Sequence, residues 1–168
     1  NNMYYPGTEL TVIANDIDHK QFLAWTSNTS DAFADASAVT TTYIVGNSDD
    51  HIVAEYEDVY YDVTVNSGTI EGSIDSTGSY VYDSVVGIVA DAADEGTVFD
   101  KWIVINGDVE IDDEYSASTT IVVKGDAEIT ATYKDCYNLT VLGGSGSGSY
   151  VPNSDADVYA DEAEYGYM

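Results

Sequence analysis

The sequence predicts an all-β chain built from tandem small modules, and three observations lead to that reading. One order of apolar landmarks occurs twice and begins a third time, at a period of about 76 residues. Within each stretch the apolar positions alternate with polar ones, which is the period of a half-buried strand. Fifteen tyrosines, with many valines, isoleucines and threonines, suit pleated surfaces better than helices. A fixed period outranks any local propensity, because each copy must then be one supersecondary unit.

The complete copy reads Tyr61-Asp62-Val63-Thr64-Val65, Tyr80, Val86-Gly87-Ile88-Val89-Ala90 and Phe99-Asp100-Lys101-Trp102. It closes with Ile121-Val122-Val123 and Ile129-Thr130-Ala131-Thr132-Tyr133. Upstream, Tyr4 and Ala14 precede Tyr80 and Ala90 by 76 residues; Phe22, Trp25, Ile44, Ile52 and Tyr56 precede their counterparts by 77. Downstream, Tyr137-Asn138-Leu139-Thr140-Val141 restarts the order, followed by Tyr150 and Val158-Tyr159-Ala160. Residues 1–57 are therefore a first module without its opening strand, 58–135 a complete second module, and 136–168 a third holding only its first strands. The array is expected to be truncated at both ends, a segment of a longer precursor. The junctions Glu57-Asp58 and Lys134-Asp135 are short enough to make neighbours stack. A β-sandwich and a β-grasp-like roll both accommodate five or six strands per unit.

In chain order, Tyr5-Pro6-Gly7-Thr8 is a turn, and Leu10, Val12 and Ala14 mark an alternating strand. Phe22 and Trp25 are the large apolar side chains of the first core. The polar stretch 26–39 follows, with a helical turn expected at 31–37, and then strands at 41–45 and 52–56 flank the turn 46–50. In the second module, Tyr61, Val63 and Val65 face one way and Asp62 and Thr64 the other. Phe99 and Trp102 repeat the aromatic pair. Asn106-Gly107-Asp108 is a strong hairpin signal, and Lys124-Gly125-Asp126 is a second. In the third, the glycine-rich stretch 143–148 lacks the Gly-Lys-Ser/Thr of a phosphate loop and reads as a hairpin tip.

The ordered set of Tyr-x-Leu/Val-Thr-Val, Gly-x-Tyr, a Val-x-Ala strand, Glu-Gly-x-x-Phe-x-x-Trp and Ile-Thr-Ala-x-Tyr resembles the divergent internalin-B-type B-repeats of bacterial and archaeal surface proteins. Residues 61–133 resemble a whole module, and 1–56 and 137–168 resemble truncated ones. The resemblance implies a small β-module strung along a secreted or wall-bound protein, with a spacer or adhesive role. It implies no catalytic residue.

Thirty-one acids face four lysines and no arginine, a net charge of −27. Nucleic-acid binding is excluded in practice, since neutralising phosphates needs a basic face. Anionic lipid surfaces are repelled as well, and no run of about 18 apolar residues predicts a membrane span. The acidity fits a solvated surface that keeps a long fibre soluble or suits high salt; cation binding is the sharper alternative. The single cysteine, Cys136, permits no intramolecular disulfide and reads as an inert thiol at a strand entry.

Few residues invite a chemical role. His19 and His51 lie beside acids but do not recur in the second module, so they read as surface histidines. Asn153, Asp155, Asp157, Asp161 and Glu164 count like an EF-hand loop, yet Val158 stands where that loop needs glycine. Looser calcium sites have candidates in Asp91, Asp94 and Glu95, and in Asp108, Asp112, Asp113 and Glu114. Otherwise no cofactor is expected. Paired carboxylates for glycoside hydrolysis abound, but a module of about 75 residues offers little room for a cleft. Trp25 and Trp102 would stack on sugars in a carbohydrate-binding array; their equivalent places after a phenylalanine read first as core. Asn28 and Asn138 open glycosylation sequons.

These readings converge on a non-enzymatic repeat protein of the cell exterior, structural, fibre-forming or adhesive. The alternatives are a carbohydrate-binding array and a calcium-dependent adhesin. The expected partners are copies of itself or adjacent repeats end to end, with a surface glycan or cell-surface ligand as a further candidate. The joint is expected to use the strand of Tyr137, Leu139 and Val141.

Overall fold

The computed structural model describes residues 3–29 and 32–162, and no helix occurs among them. The chain divides into two compact units, residues 1–60 and 61–168.

Unit one holds β1 (Glu9–Ile13), β2 (Lys20–Ser27), β3 (Thr40–Ile44) and β4 (Ile52–Asp58). Leu10 and Val12 are the less exposed face of β1, as alternation requires. Strand β1 pairs antiparallel with β3, placing Val12 opposite Thr41. Strand β2 pairs antiparallel with β4, placing Trp25 opposite Ala54, and a bulge between Phe22 and Ala24 turns Leu23 outward. The stretch 31–37 does not form the expected helical turn in its described part. Phe33 instead bridges to Tyr43, and its ring stacks on Trp25 at 6.1 Å between centroids. A large aromatic face close by outweighs the weak helical preference of an Ala/Asp/Ser stretch.

Unit two carries the complete sheet: β5 (Tyr60–Asn66), β6 (Gly68–Ile70), β7 (Thr77–Val81), β8 (Val85–Ala90), β9 (Thr97–Ile111) and β10 (Ser118–Asp135). Its order is β6-β8-β10-β5-β7, with β9 on the remaining side of β10. The opening strand β5 runs parallel to the closing half of β10, with Val63 opposite Ala127 and Val65 opposite Ile129. The other registered pairs of this sheet are antiparallel. One continuous mixed sheet, first strand parallel to last, is the roll of the two candidate architectures. With no helix to cover it, the sheet buries its apolar face by bending over itself. Val63, Val65, Ile88, Ile121, Val123, Ile129 and Trp102 are fully buried there.

Both local hairpin signals in the second module are overruled. Asn106-Gly107-Asp108 lies inside β9 and Lys124-Gly125-Asp126 inside β10, opposite one another. The register passes from Val123 opposite Val109 to Ala127 opposite Gly107, so the two turn-forming triplets make a bulge that bends the ribbon. A hairpin turn needs its own flanks to pair with each other. Here each flank pairs along the long partner strand instead.

Hydrogen bonds that recur between the units refine the period. The Tyr56 hydroxyl donates to the Asn15 carbonyl and Tyr133 to that of Asp91. The Trp25 indole donates to Ala38 O at 3.1 Å and Trp102 to Ser116 O at 3.0 Å. Asp35 N–H donates to Thr41 Oγ1, as Asp113 N–H does to Thr119 Oγ1. Around those threonines the offset is 78, so the counterpart of Ile121 is the buried Tyr43, not Ile44, which is exposed. Unit two has one residue more between its tryptophan and its threonine, and unit one has one more between its threonine and Ile52, a shift that matching along one diagonal misses. A further equivalence follows: His19, at φ 59°, stands where Gly96 has φ 83°, and their carbonyls accept from Val59 and Cys136 N–H. The place of His19 is thus a turn conformation, not a ligand position.

The third module has β11 (Tyr137–Leu139) paired with β13 (Gly148–Tyr150), and β12 (Gly144–Ser145) paired with β14 (Tyr159–Ala160). Gly144 opposite Ala160 reproduces Gly68 opposite Ala90. The glycine-rich stretch therefore lies between paired strands, as a hairpin connection does, and adds a short strand of its own.

Candidate functional site

The two aromatic centres have the same construction. Phe99 and Trp102 lie 5.9 Å apart between ring centroids, and Phe99 meets Tyr133 edge-on. Phe22 and Trp25 lie 5.8 Å apart, and Phe22 meets Tyr56 edge-on. Their burial differs. Trp102 is 1% exposed, because β5 and β6 close over it and Gly68 brings its backbone onto the indole. A Cβ at Gly68 would stand 2.7 Å from the indole Cη2, so only glycine fits. Trp102 accordingly has no face to offer a sugar. Trp25 is half-buried, for unit one has no strands equivalent to β5 and β6 among its described residues.

Unit one carries a polar cluster with no counterpart in unit two. The Asp50 carboxylate accepts from the hydroxyls of Ser27, Thr29 and Tyr43. Asp50 takes the place of Ala127, and Tyr43 that of Ile121. The Tyr43 contact, with help from Ser27 and Thr29, holds the Asp50 carboxyl down at about 2. The same contact pushes the Tyr43 phenol up. A carboxylate depressed in the folded state contributes stability above its unfolded value near 4, and that contribution is lost as pH falls toward 2. Asp50→Asn is therefore expected to lower stability at neutral pH and flatten its acid decline between about pH 4 and pH 2. Urea unfolding followed across that range checks it; parallel pH profiles would contradict the assignment. Sequence reasoning missed this site, because Asp50 looks like one acid in a polar turn.

The acidic candidates do not assemble. Asp91 and Asp94 line a shallow cavity of about 320 Å³ with Ser67, Ala92, Thr97 and Tyr133. The Tyr133 hydroxyl, whose pKa burial pushes up with help from Asp91 and Asp94, bonds the carbonyls of Ser67 and Asp91 there. Asp108 lies in β9, while Asp112 and Asp113 follow its end, where Asp113 Oδ1 accepts from Tyr115 N–H. Among the described residues, no three histidine, cysteine, aspartate or glutamate side chains converge as a metal ion needs. The EF-hand-like count runs into β14, and Glu164 lies outside the described residues. Both sequon asparagines are exposed: Asn28 accepts from His51 N–H at 2.8 Å, Asn138 from the Ser149 hydroxyl at 2.6 Å.

Toward both ends of the repeat pattern the described residues are less covered than in the complete copy. Leu139 is 39% exposed and Val158 52%, whereas their counterparts Val63 and Ile88 are fully buried. The expected strand 137–141 is shorter than the spacing suggested: β11 ends at Leu139, and Val141 N–H bonds the Ser147 hydroxyl. At the other end, β4 pairs with β2 alone among the described strands, while its counterpart in β10 carries both β9 and β5.

The divergent InlB B-repeat domain family matches this chain twice, over residues 1–60 and 61–136. The chain belongs to that family. The two matched copies meet where the two compact units divide, between Tyr60 and Tyr61. Tandem InlB B-repeats are typical of bacterial surface proteins, and the family is a non-catalytic repeat domain. No curated protein and no solved structure matches the chain. The second copy is thus a roll whose opening strand closes over the tryptophan, and among the described residues the first copy has no strand in that place.

Proposed function

We propose that the chain is a structural, fibre-forming or adhesive B-repeat segment of an extracellular surface protein, without catalytic activity, that associates head to tail by β-strand complementation. One observation carries this reading. Among the described residues, β4 pairs with β2 alone beside a half-buried Trp25, while the third module's β11 leaves Leu139 39% exposed. Such a pair of surfaces makes a heterologous contact, which propagates instead of closing. Sedimentation of the 168-residue chain tests it. Mass increasing with concentration in the micromolar range is the expected result, and a monomer throughout would overturn the self-association.

The charge sets the conditions. Three of the four lysines bond acids, Lys20 with Asp58, Lys124 with Asp83 and Lys134 with Asp100, and exposed pairs of this kind contribute little. The remaining carboxylates repel one another. Salt is therefore expected to raise the thermal midpoint and to strengthen association, since about 1 M shortens the screening length to about 3 Å. Scans at low and high ionic strength check this, and an unchanged midpoint would contradict it.

A further inference from the structure

One carboxylate in unit two is shared by two asparagines from different strands. Glu128 lies in β10, which carries β5 on one side and β9 on the other, and it stands directly opposite Asn106. Its Oε1 accepts from Asn66 Nδ2 at 2.8 Å and its Oε2 from Asn106 Nδ2 at 3.0 Å. Both asparagines precede a small residue, Ser67 and Gly107. That order permits a reaction within the backbone. The amide nitrogen of the small residue gives up its proton and bonds to the asparagine Cγ, and ammonia leaves. Water then opens the succinimide ring to aspartate or isoaspartate. A small side chain shields that nitrogen little, and glycine shields it least.

We propose that Asn66 and Asn106 are two sites of spontaneous deamidation, and that Glu128 is a latch that slows the reaction at both.

Three observations support it. Each carboxamide reaches sideways to a neighbouring strand, so turning it back toward its own chain breaks a charge-assisted hydrogen bond. The small residues are themselves held. Ser67, at φ 54°, has its carbonyl bonded by Asp91 N–H and the Tyr133 hydroxyl, and Gly107, at φ 88°, lies against the Asp126 carbonyl and the Ala127 backbone. Burial does not protect the second site, because Asn106 and Gly107 are both exposed and open to water. Asn47-Ser48 supplies the contrast: it repeats the Asn-Ser pair in an exposed bend of unit one, without such an anchor among the described residues.

Reaction at either site exchanges a donor for a second negative charge on Glu128. At Asn106 that charge stands directly opposite the glutamate, which destabilises a strand pair. The isoaspartate branch also adds one carbon to the backbone at the bend of β9. Deamidation therefore loosens β5 and β9 from β10.

The test incubates the whole chain in warm, mildly alkaline buffer and follows each asparagine by peptide mass spectrometry with isoaspartate detection. In the native chain Asn47 is expected to react first; in guanidinium chloride Asn106 is expected to lead. Glu128→Val removes both acceptors and keeps a strand-forming residue on the sheet. It is expected to speed Asn66 and Asn106 about tenfold, the factor one charge-assisted hydrogen bond is worth, and to leave Asn47 unchanged. Glu128→Gln keeps one acceptor oxygen and is expected to free one of the two asparagines. Hydrogen exchange in β10 shows whether each variant keeps its fold. A native Asn106 that reacts as fast as in denaturant would overturn the latch. So would rates at Asn66 and Asn106 that Glu128→Val leaves untouched. Acceleration that includes Asn47 equally, or that follows lost protection throughout β10, would mean general loosening and would overturn it too.

Discussion

Trp102→Ala is expected to destabilise unit two by about 3–5 kcal/mol, the cost of emptying a large aromatic site in a packed core. The side chain is 1% exposed, lies opposite Ala131, touches Phe99 and is roofed by the Gly68 backbone. Its removal also strands the Ser116 carbonyl, which accepts the indole N–H at 3.0 Å. A module of this size has on the order of 4–11 kcal/mol in all, so the variant approaches global unfolding. Trp25→Ala in unit one makes the informative comparison. Its indole has the same phenylalanine neighbour and the same kind of carbonyl acceptor, but it is only half-buried, and a smaller loss is expected. Hydrogen exchange measured segment by segment in the two variants reads both. Equal losses would mean that the covering strands contribute nothing to the tryptophan's burial.

Gly107→Ala is expected to cost on the order of 2–4 kcal/mol, combining left-handed strain with overpacking. Gly107 has φ 88°, and a Cβ there would run into the Asp126 carbonyl and the Ala127 backbone. Neither obstacle is a flexible side-chain tip, so the ribbon itself must move. That bulge is the bend by which β9 and β10 carry the sheet around its own core, and straightening it uncovers Val123 and Ile129 on either side. Gly125→Ala is the control. It lies across the same bend without a positive φ, and its nearest obstacle is the Asp108 Cβ at 3.4 Å. A change within about 1 kcal/mol is expected there, since the added Cβ meets no rigid obstacle and reduces the freedom of the unfolded chain. The thermal midpoint should fall by roughly 10–30 °C for Gly107→Ala and stay nearly unmoved for Gly125→Ala. Equal shifts would place the strain elsewhere in the bend.

The repeated order of residues was enough to establish the class of fold, the tandem organisation and the aromatic pairs. Phe22 with Trp25 and Phe99 with Trp102 could be found because large apolar side chains at a fixed spacing leave a one-dimensional trace. So could the alternation of Val63 and Val65 with Asp62 and Thr64, since a strand's two faces are written directly in its sequence. What sequence did not reveal depends on contacts between distant residues. Asn106-Gly107-Asp108 has the local chemistry of a hairpin, and only the long pairing of β9 with β10 makes it a bulge. Phe33 leaves a potential helical turn because Trp25 and Tyr43 offer it a larger surface to cover. Tyr43 replaces Ile44 as the counterpart of Ile121 because the hydrogen bonds of Thr41 and Thr119, not the count of residues, fix the register. Asp50 becomes a three-donor site because Ser27, Thr29 and Tyr43 reach it from two other segments. The sequence determined which residues repeat; the tertiary structure decided which repeats are covered, because burial belongs to the neighbours that strands acquire and not to the strands themselves.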